Sequence, residues 1–153
     1  MPIEPRAHEW IVGVWDLEAW RRVTGTEVVY PLGEDASGIL IYSSDGRMSV
    51  QLSAATRTPW QTPDPLTGDA SDRAAAYSTY LAYWGRYEVR SDAVVHLIDD
   101  SLFPSWSGAE QARPFTHDVQ DDREVLVLHT PPVTQPEGPA TSNELTWSRP
   151  RSG

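Results

Sequence analysis

The chain has 153 residues, a length that suits one domain around one core. Twenty-two acidic against twelve basic residues leave a formal net charge of −10, which argues against phosphate-backbone and anionic-membrane partners. Every basic residue is Arg and Cys is absent, so lysine Schiff bases, thiolate nucleophiles, disulfides and Cys-ligated metals are all excluded.

In chain order, Met1–Arg6 lacks the basic start and apolar stretch of a secretory signal, no run approaches the roughly 18 apolar residues of a membrane helix, and a cytoplasmic location is expected. From there the dominant period is two. Trp15, Leu17 and Ala19 alternate with Asp16, Glu18 and Trp20, followed by a short run at Glu27–Tyr30. Gly38–Tyr42 and Arg47–Leu52 flank an Asp45-Gly46 turn, a strong hairpin signal. Ser53–Gly68 is rich in Thr and Pro and contains Trp60. The only convincing helix follows at Asp69–Leu81, capped by Asp69 or Ser71, with Ala70, Ala74, Tyr77 and Leu81 on one face. A loop and helix inserted this way serve as a lid over a cavity or as a plug covering one barrel end.

Ala82–Arg90 and Ala93–Leu102 turn at Ser91-Asp92, Glu110–Asp118 and Arg123–Thr130 turn around Asp121, and Asn143–Arg149 closes the series. Thr130–Ser142, with four Pro, reads as a flexible loop and Pro150–Gly153 as a frayed tail. The result is a mainly all-β single domain over residues 1–153: an antiparallel up-and-down barrel of eight to nine strands with one inserted helix, or alternatively a β-sandwich. Seven Trp supply the bulk that fills or lines a small barrel.

Several motifs carry a family resemblance. Gly13-Val14-Trp15 opens the first strand and Arg149 ends the last. Tyr30-Pro31-Leu32-Gly33, Gly38–Tyr42 with Asp45–Ser49, Tyr83–Tyr87, Val95-His96, Ser101–Gly108, Gln111-x-Arg113 and Leu145–Arg149 follow in order along nearly the whole chain. Together they resemble the bacterial and fungal lipocalin-like domain family. The resemblance implies a lipocalin-type barrel with Trp15 closing the floor under Arg149. It also implies a setting in natural-product biosynthesis, where some lipocalin-fold proteins act as cofactor-free cyclases, including Diels–Alder-type ones. A second histidine often follows the first in this family; Leu97 stands there instead, so no His pair is expected.

The candidate chemistry rests on side chains that strand spacing sets on common faces. His96, with Val94 and Ile98 beside it, is either an acid/base group near neutral pKa or a satisfied core histidine. Gln111 and Arg113 share a face with Phe115, offering an amide and a guanidinium to a ligand carbonyl or carboxylate, or else an internal ion pair of Arg113 with Asp99 or Asp100. Tyr83, Gly85 and Tyr87 lie on one face of their strand and Trp84 on the other. Either face can point inward. The expected catalytic set is Arg113, Gln111, His96 and Tyr83. The expected ligand-binding set is Tyr87, Trp60, Trp84, Trp106, Met48, Phe115 and Trp147. Adjacent Asp99 and Asp100 face opposite ways in a regular strand and form no dyad. His8, His117 and His129 lack metal-ligand spacing, although His129 with Val125 and Val127 has a chance of facing the cavity.

No cofactor and no metal is expected. The partner is a small hydrophobic molecule, and the chain is a monomer or homodimer. Three functions fit: a cofactor-free cyclase or isomerase of a hydrophobic natural product such as a polyketide, a non-catalytic carrier of an apolar metabolite, or a filled barrel acting as an interaction module.

Overall fold

A computed structural model of the chain describes residues 8–133 and 136–151. The expected features at Met1–Arg6 and at the extreme C-terminus, Ser152-Gly153, lie outside these residues. After a 3-10 turn at Glu9–Ile11, the strands are β1 (Gly13–Thr24), β2 (Glu27–Val29), β3 (Ser37–Tyr42), β4 (Arg47–Ser53), β5 (Tyr80–Val89), β6 (Ala93–Ser101), β7 (Glu110–Gln120), β8 (Arg123–His129) and β9 (Thr141–Pro150). One α-helix, α1 (Ala70–Ser78), lies between β4 and β5. Each strand from β3 to β9 pairs antiparallel with the next. β1 pairs with both β3 and β9, which closes an eight-stranded barrel with β2 as a short extra strand on β1. Closure removes the exposed edges a sandwich would keep.

The hairpins follow the turn chemistry. Gly46 (φ +92°) turns β3 into β4, and β5 into β6 and β7 into β8 turn at the expected Asp92 and Asp121. The Pro-rich stretch is shorter than a loop over Thr130–Ser142. Val133 bridges Thr141, and Thr141 and Ser142 already belong to β9.

Two irregularities decide which side chains enter the barrel. On β1 the pairing with β9 slips between Leu17, opposite Trp147, and Ala19, opposite Thr146. Glu18 is the extra residue of this bulge. A bulge adds one residue and so reverses facing beyond it. Strict alternation places Trp20 with Asp16 and Glu18 on the polar face; the bulge turns it inward, opposite Leu145. The second slip lies between Trp84, opposite Asp100, and Gly85, opposite Ile98, which leaves Asp99 as the extra residue. Asp99 and Asp100 are consequently both exposed, and Asp100 accepts from Ser107 Oγ at 2.7 Å rather than partnering His96 or Arg113. Gly85 makes this crossing possible. A Cβ at that position would stand 2.1 Å from the Leu97 carbonyl oxygen and 2.8 Å from the Asp99 nitrogen, both fixed backbone.

The floor is built as the Gly-x-Trp motif implies. Trp15 is fully buried and donates from Nε1 to the Ile11 carbonyl at 2.9 Å. The Arg149 guanidinium lies 4.0 Å from the centre of its ring, a cation–π contact. Arg149 also donates to the Val12 carbonyl at 2.7 Å and to the Trp10 carbonyl, tying the chain start to the last strand. Glu124 meets Arg149 at 3.2 Å and His117 at 3.0 Å. Burial pushes the Glu124 carboxyl up, but the His117 and Arg149 contacts outweigh it and hold the group below its ordinary value. Gly13 has φ +130°, and a Cβ there would lie 2.8 Å from an Arg149 nitrogen, so both the backbone and the guanidinium require glycine.

Candidate functional site

Above this floor the barrel encloses a cavity of about 640 Å³, in the size range of sites that hold small organic ligands. Its middle wall is apolar: Leu40, Val50, Leu52, Leu81, Leu128, Leu145 and Trp147. These positions are the alternate residues of β3, β4, β5, β8 and β9, the face that the period-two pattern buries. Tyr77 of α1, with Phe103 and Trp106 from the turn after β6, lines the mouth.

One wall is polar. His96 is 1% exposed. Its Nε2 lies 2.7 Å from the Tyr42 hydroxyl and its Nδ1 2.7 Å from the Tyr83 hydroxyl. Both ring nitrogens are therefore used, one as donor and one as acceptor in a neutral imidazole. Burial first, and then the Arg113 charge, lower the His96 pKa to about 3. Burial likewise raises the pKa of both phenols, while Arg113 acts in the opposite sense. At neutral pH the Tyr42–His96–Tyr83 chain is thus uncharged, and Arg113 is the charge beside it. Across the β6–β7 pairing Gln111 stands opposite His96 and Arg113 opposite Val94, one inward position deeper. The Gln111 Oε1 accepts from the Arg113 guanidinium.

The structure brings all four expected catalytic residues, Arg113, Gln111, His96 and Tyr83, to the cavity lining, together with Trp106 and Trp147. The Trp106 ring meets that of Tyr83 edge-on at 5.8 Å. Trp84 is on the other side of the barrel wall. Tyr83 and Gly85 point in, so Trp84 points out and is 47% exposed. Trp60 lies outside as well, over Gly68 in a surface groove between its loop and α1. Met48, Tyr87 and Phe115 are on the inward face but do not line the cavity. Met48 is in the core, Tyr87 packs on Tyr42 at 4.7 Å and donates to the Ser43 carbonyl, and Phe115 packs on Trp10 near the floor. His129 stands on the outer face, because Leu126 and Leu128 take the inward positions of β8. The possible ion pair of Arg113 with Asp99 or Asp100 does not form.

Alternation alone missed Tyr42, Trp20, Asn143 and Leu145. Tyr42 was legible: it shares a strand face with Leu40, two residues away. Trp20 was hidden by the Glu18 bulge. It donates from Nε1 to Asn143 Oδ1 at 2.9 Å near the mouth, a contact 123 residues apart in sequence that no local pattern encodes.

The helix is shorter than Asp69–Leu81. It is capped by Asp69, whose carboxylate accepts from the Asp72 amide at 2.8 Å, while Leu81 belongs to β5. No helical residue is buried. The insertion is pinned at its base by Ala54 N–H donating to the Thr79 carbonyl (3.0 Å). Arg57 then ties the loop to Thr79 Oγ1 (3.0 Å) and to the Ala76 carbonyl (3.2 Å) near the helix end. The segment is therefore a rim beside the mouth, and it does not fill the barrel.

A closed antiparallel barrel with an apolar cavity and one polar wall defines a class of small-molecule-binding barrels. The family model described as a lipocalin-like domain matches residues 12–150, and the chain belongs to that family. No curated protein matches it significantly. No helix among the described residues is long and apolar enough to cross a membrane.

Proposed function

We propose that this protein is a cofactor-free cyclase or isomerase of a small hydrophobic natural product, such as a polyketide, with a carbonyl oxygen held at Tyr83, Gln111 and Arg113. One observation carries this reading: Tyr83, His96, Gln111 and Arg113 gather on one wall of a largely apolar cavity. An enclosing cavity holds a flexible chain in a reactive fold, and orientation of this kind lowers a barrier by several kcal/mol without any group changing its bonding. Donors at the carbonyl then stabilise charge as it builds on oxygen. Tyr83 suits this task because His96 holds its hydroxyl from behind (2.7 Å) and burial keeps the phenol protonated, and so able to donate, although Arg113 acts in the opposite sense. His96 acts here as a positioning residue. Its low pKa keeps it from serving as a general acid at neutral pH.

The test is incubation of purified protein with candidate hydrophobic substrates, followed by chromatography and mass spectrometry. The expected product has the same mass and a different retention. Tyr83→Phe and Arg113→Gln should each slow turnover by about 10²-fold, in line with loss of one oxyanion donor, with the melting curve retained for Arg113→Gln and stability lowered by about 1 to 3 kcal/mol for Tyr83→Phe, which leaves the buried His96 Nδ1 unpaired. Full turnover in both variants would remove this site assignment.

The occupation of both His96 nitrogens favours a second reading, reversible carriage, since it leaves His96 without a free nitrogen to act as a base. A carrier returns its ligand with mass and retention unchanged.

A further inference from the structure

Arg113 lines an apolar cavity and has no carboxylate partner among the described residues. Its hydrogen-bond partners are both neutral, the Gln111 amide and the Tyr83 hydroxyl. The chain has 22 acidic residues, almost twice its Arg count, yet among the described residues none forms an ion pair with this guanidinium, although Glu110 lines the same cavity at its mouth. The neighbouring groups cannot serve as its counter-ion. His96 titrates only between neutral and positive, and burial keeps the Tyr42 and Tyr83 phenols protonated. The other ion pairs of Arg in this molecule lie at the floor or on the outside of the barrel. A partly buried cation facing a largely apolar cavity is poorly compensated without an anion, and a planar guanidinium matches an acid group in a two-pronged geometry.

We infer that the ligand is an organic anion, an apolar body carrying one ionised acid group, and that this group docks on Arg113. The inference rests on the cavity being the ligand site, as proposed above, and adds the charge of what enters it, the five N–H donors of the guanidinium allowing Arg113 to meet the acid group as well as the carbonyl oxygen. It also sets the direction of entry. Arg113 lies one inward position deeper than Gln111 on β7, which begins at Glu110 by the mouth, so the acid end leads and the apolar body occupies the Leu52, Leu128 and Leu145 wall behind it.

A matched pair of fluorescent probes tests this: 8-anilinonaphthalene-1-sulfonate and N-phenyl-1-naphthylamine, the same ring system with and without the anionic group. The protein should bind the sulfonate about 10- to 100-fold more tightly than the neutral amine, the ratio expected of a charge-assisted contact. Arg113→Gln should abolish the preference while leaving the affinity for the neutral probe unchanged. Arg113→Lys, which keeps the charge and serves as a check on folding, should retain most of it. Equal or tighter binding of the neutral probe, or a preference that survives Arg113→Gln, overturns the inference and leaves the apolar-cavity reading intact. Binding of neither probe overturns both.

Discussion

His96 shows how a single side chain ties the site to the stability of the fold. Its folded pKa of about 3 is below the ordinary value of 6.5, so the folded state refuses a proton that the unfolded chain accepts. Between these two values the unfolded state binds more protons, and stability rises with pH. The contribution is fully present above pH 6.5 and drains away as pH falls towards 3, at about 1 kcal/mol per pH unit for one site. Denaturant melts at pH 7, 6 and 5 should therefore fall more steeply for the parent than for His96→Gln, which has no ring to protonate. Parallel slopes would mean that His96 is not held neutral in this way. At the same scale, Trp15→Ala should cost about 3 to 5 kcal/mol, as deletion of a large core ring does, because it removes both the buried indole and the surface on which Arg149 lies. A variant melting like the parent would dissociate Trp15 from the floor.

At the scale of elements, the insertion between β4 and β5 is separable from the barrel. α1 buries no residue, so its own local interactions hold it: the Asp69–Asp72 capping box at its start, Arg57 on the Ala76 carbonyl near its end, and Arg73 donating back to the Leu66 (2.7 Å) and Gly68 (3.0 Å) carbonyls. Asp69→Ala should weaken the helix by roughly 1 kcal/mol. Hydrogen exchange of the amides in 70–78 should accelerate severalfold while the global melt barely moves. A matching drop in global stability would show that the helix is part of the core. The sequence pattern supplied the element types well, because two-residue alternation and Asp-Gly chemistry are local. Helix length was overestimated because Leu81 continues the 3.6-residue pattern of Tyr77 by spacing while its backbone already pairs with Leu52 in the sheet.

For the whole molecule, what was legible divides along the same line. Strand count followed from alternation, a closed barrel was one of the two architectures it allowed, and the Trp15–Arg149 floor followed from the family resemblance of motifs at the two chain ends. Gln111 and Arg113 were legible as a pair because one strand face carries both. Facing was not legible wherever a strand bulges. The Glu18 bulge hid Trp20, and Trp84 and Tyr83 are aromatic alike, so only the closed barrel decides between them. Tyr42 and Tyr83 meet on His96 from three different strands, a convergence that closure creates and that no window of sequence contains. Gly85→Ala tests this global fit. A single methyl group there collides with the backbone of β6, and the expected outcome is a loss of several kcal/mol or failure to fold, read by a denaturant midpoint.

The distribution of tryptophans across the barrel wall has an optical consequence. Trp20, Trp106 and Trp147 border the cavity, Trp84 faces solvent, and Trp15 is sealed beneath the floor. The protein is thus its own spectroscopic reporter. Occupation of the cavity perturbs one subset of indoles, while an aqueous quencher such as acrylamide reaches another, so filling of the interior and changes at the surface are read separately from one emission spectrum without any attached label.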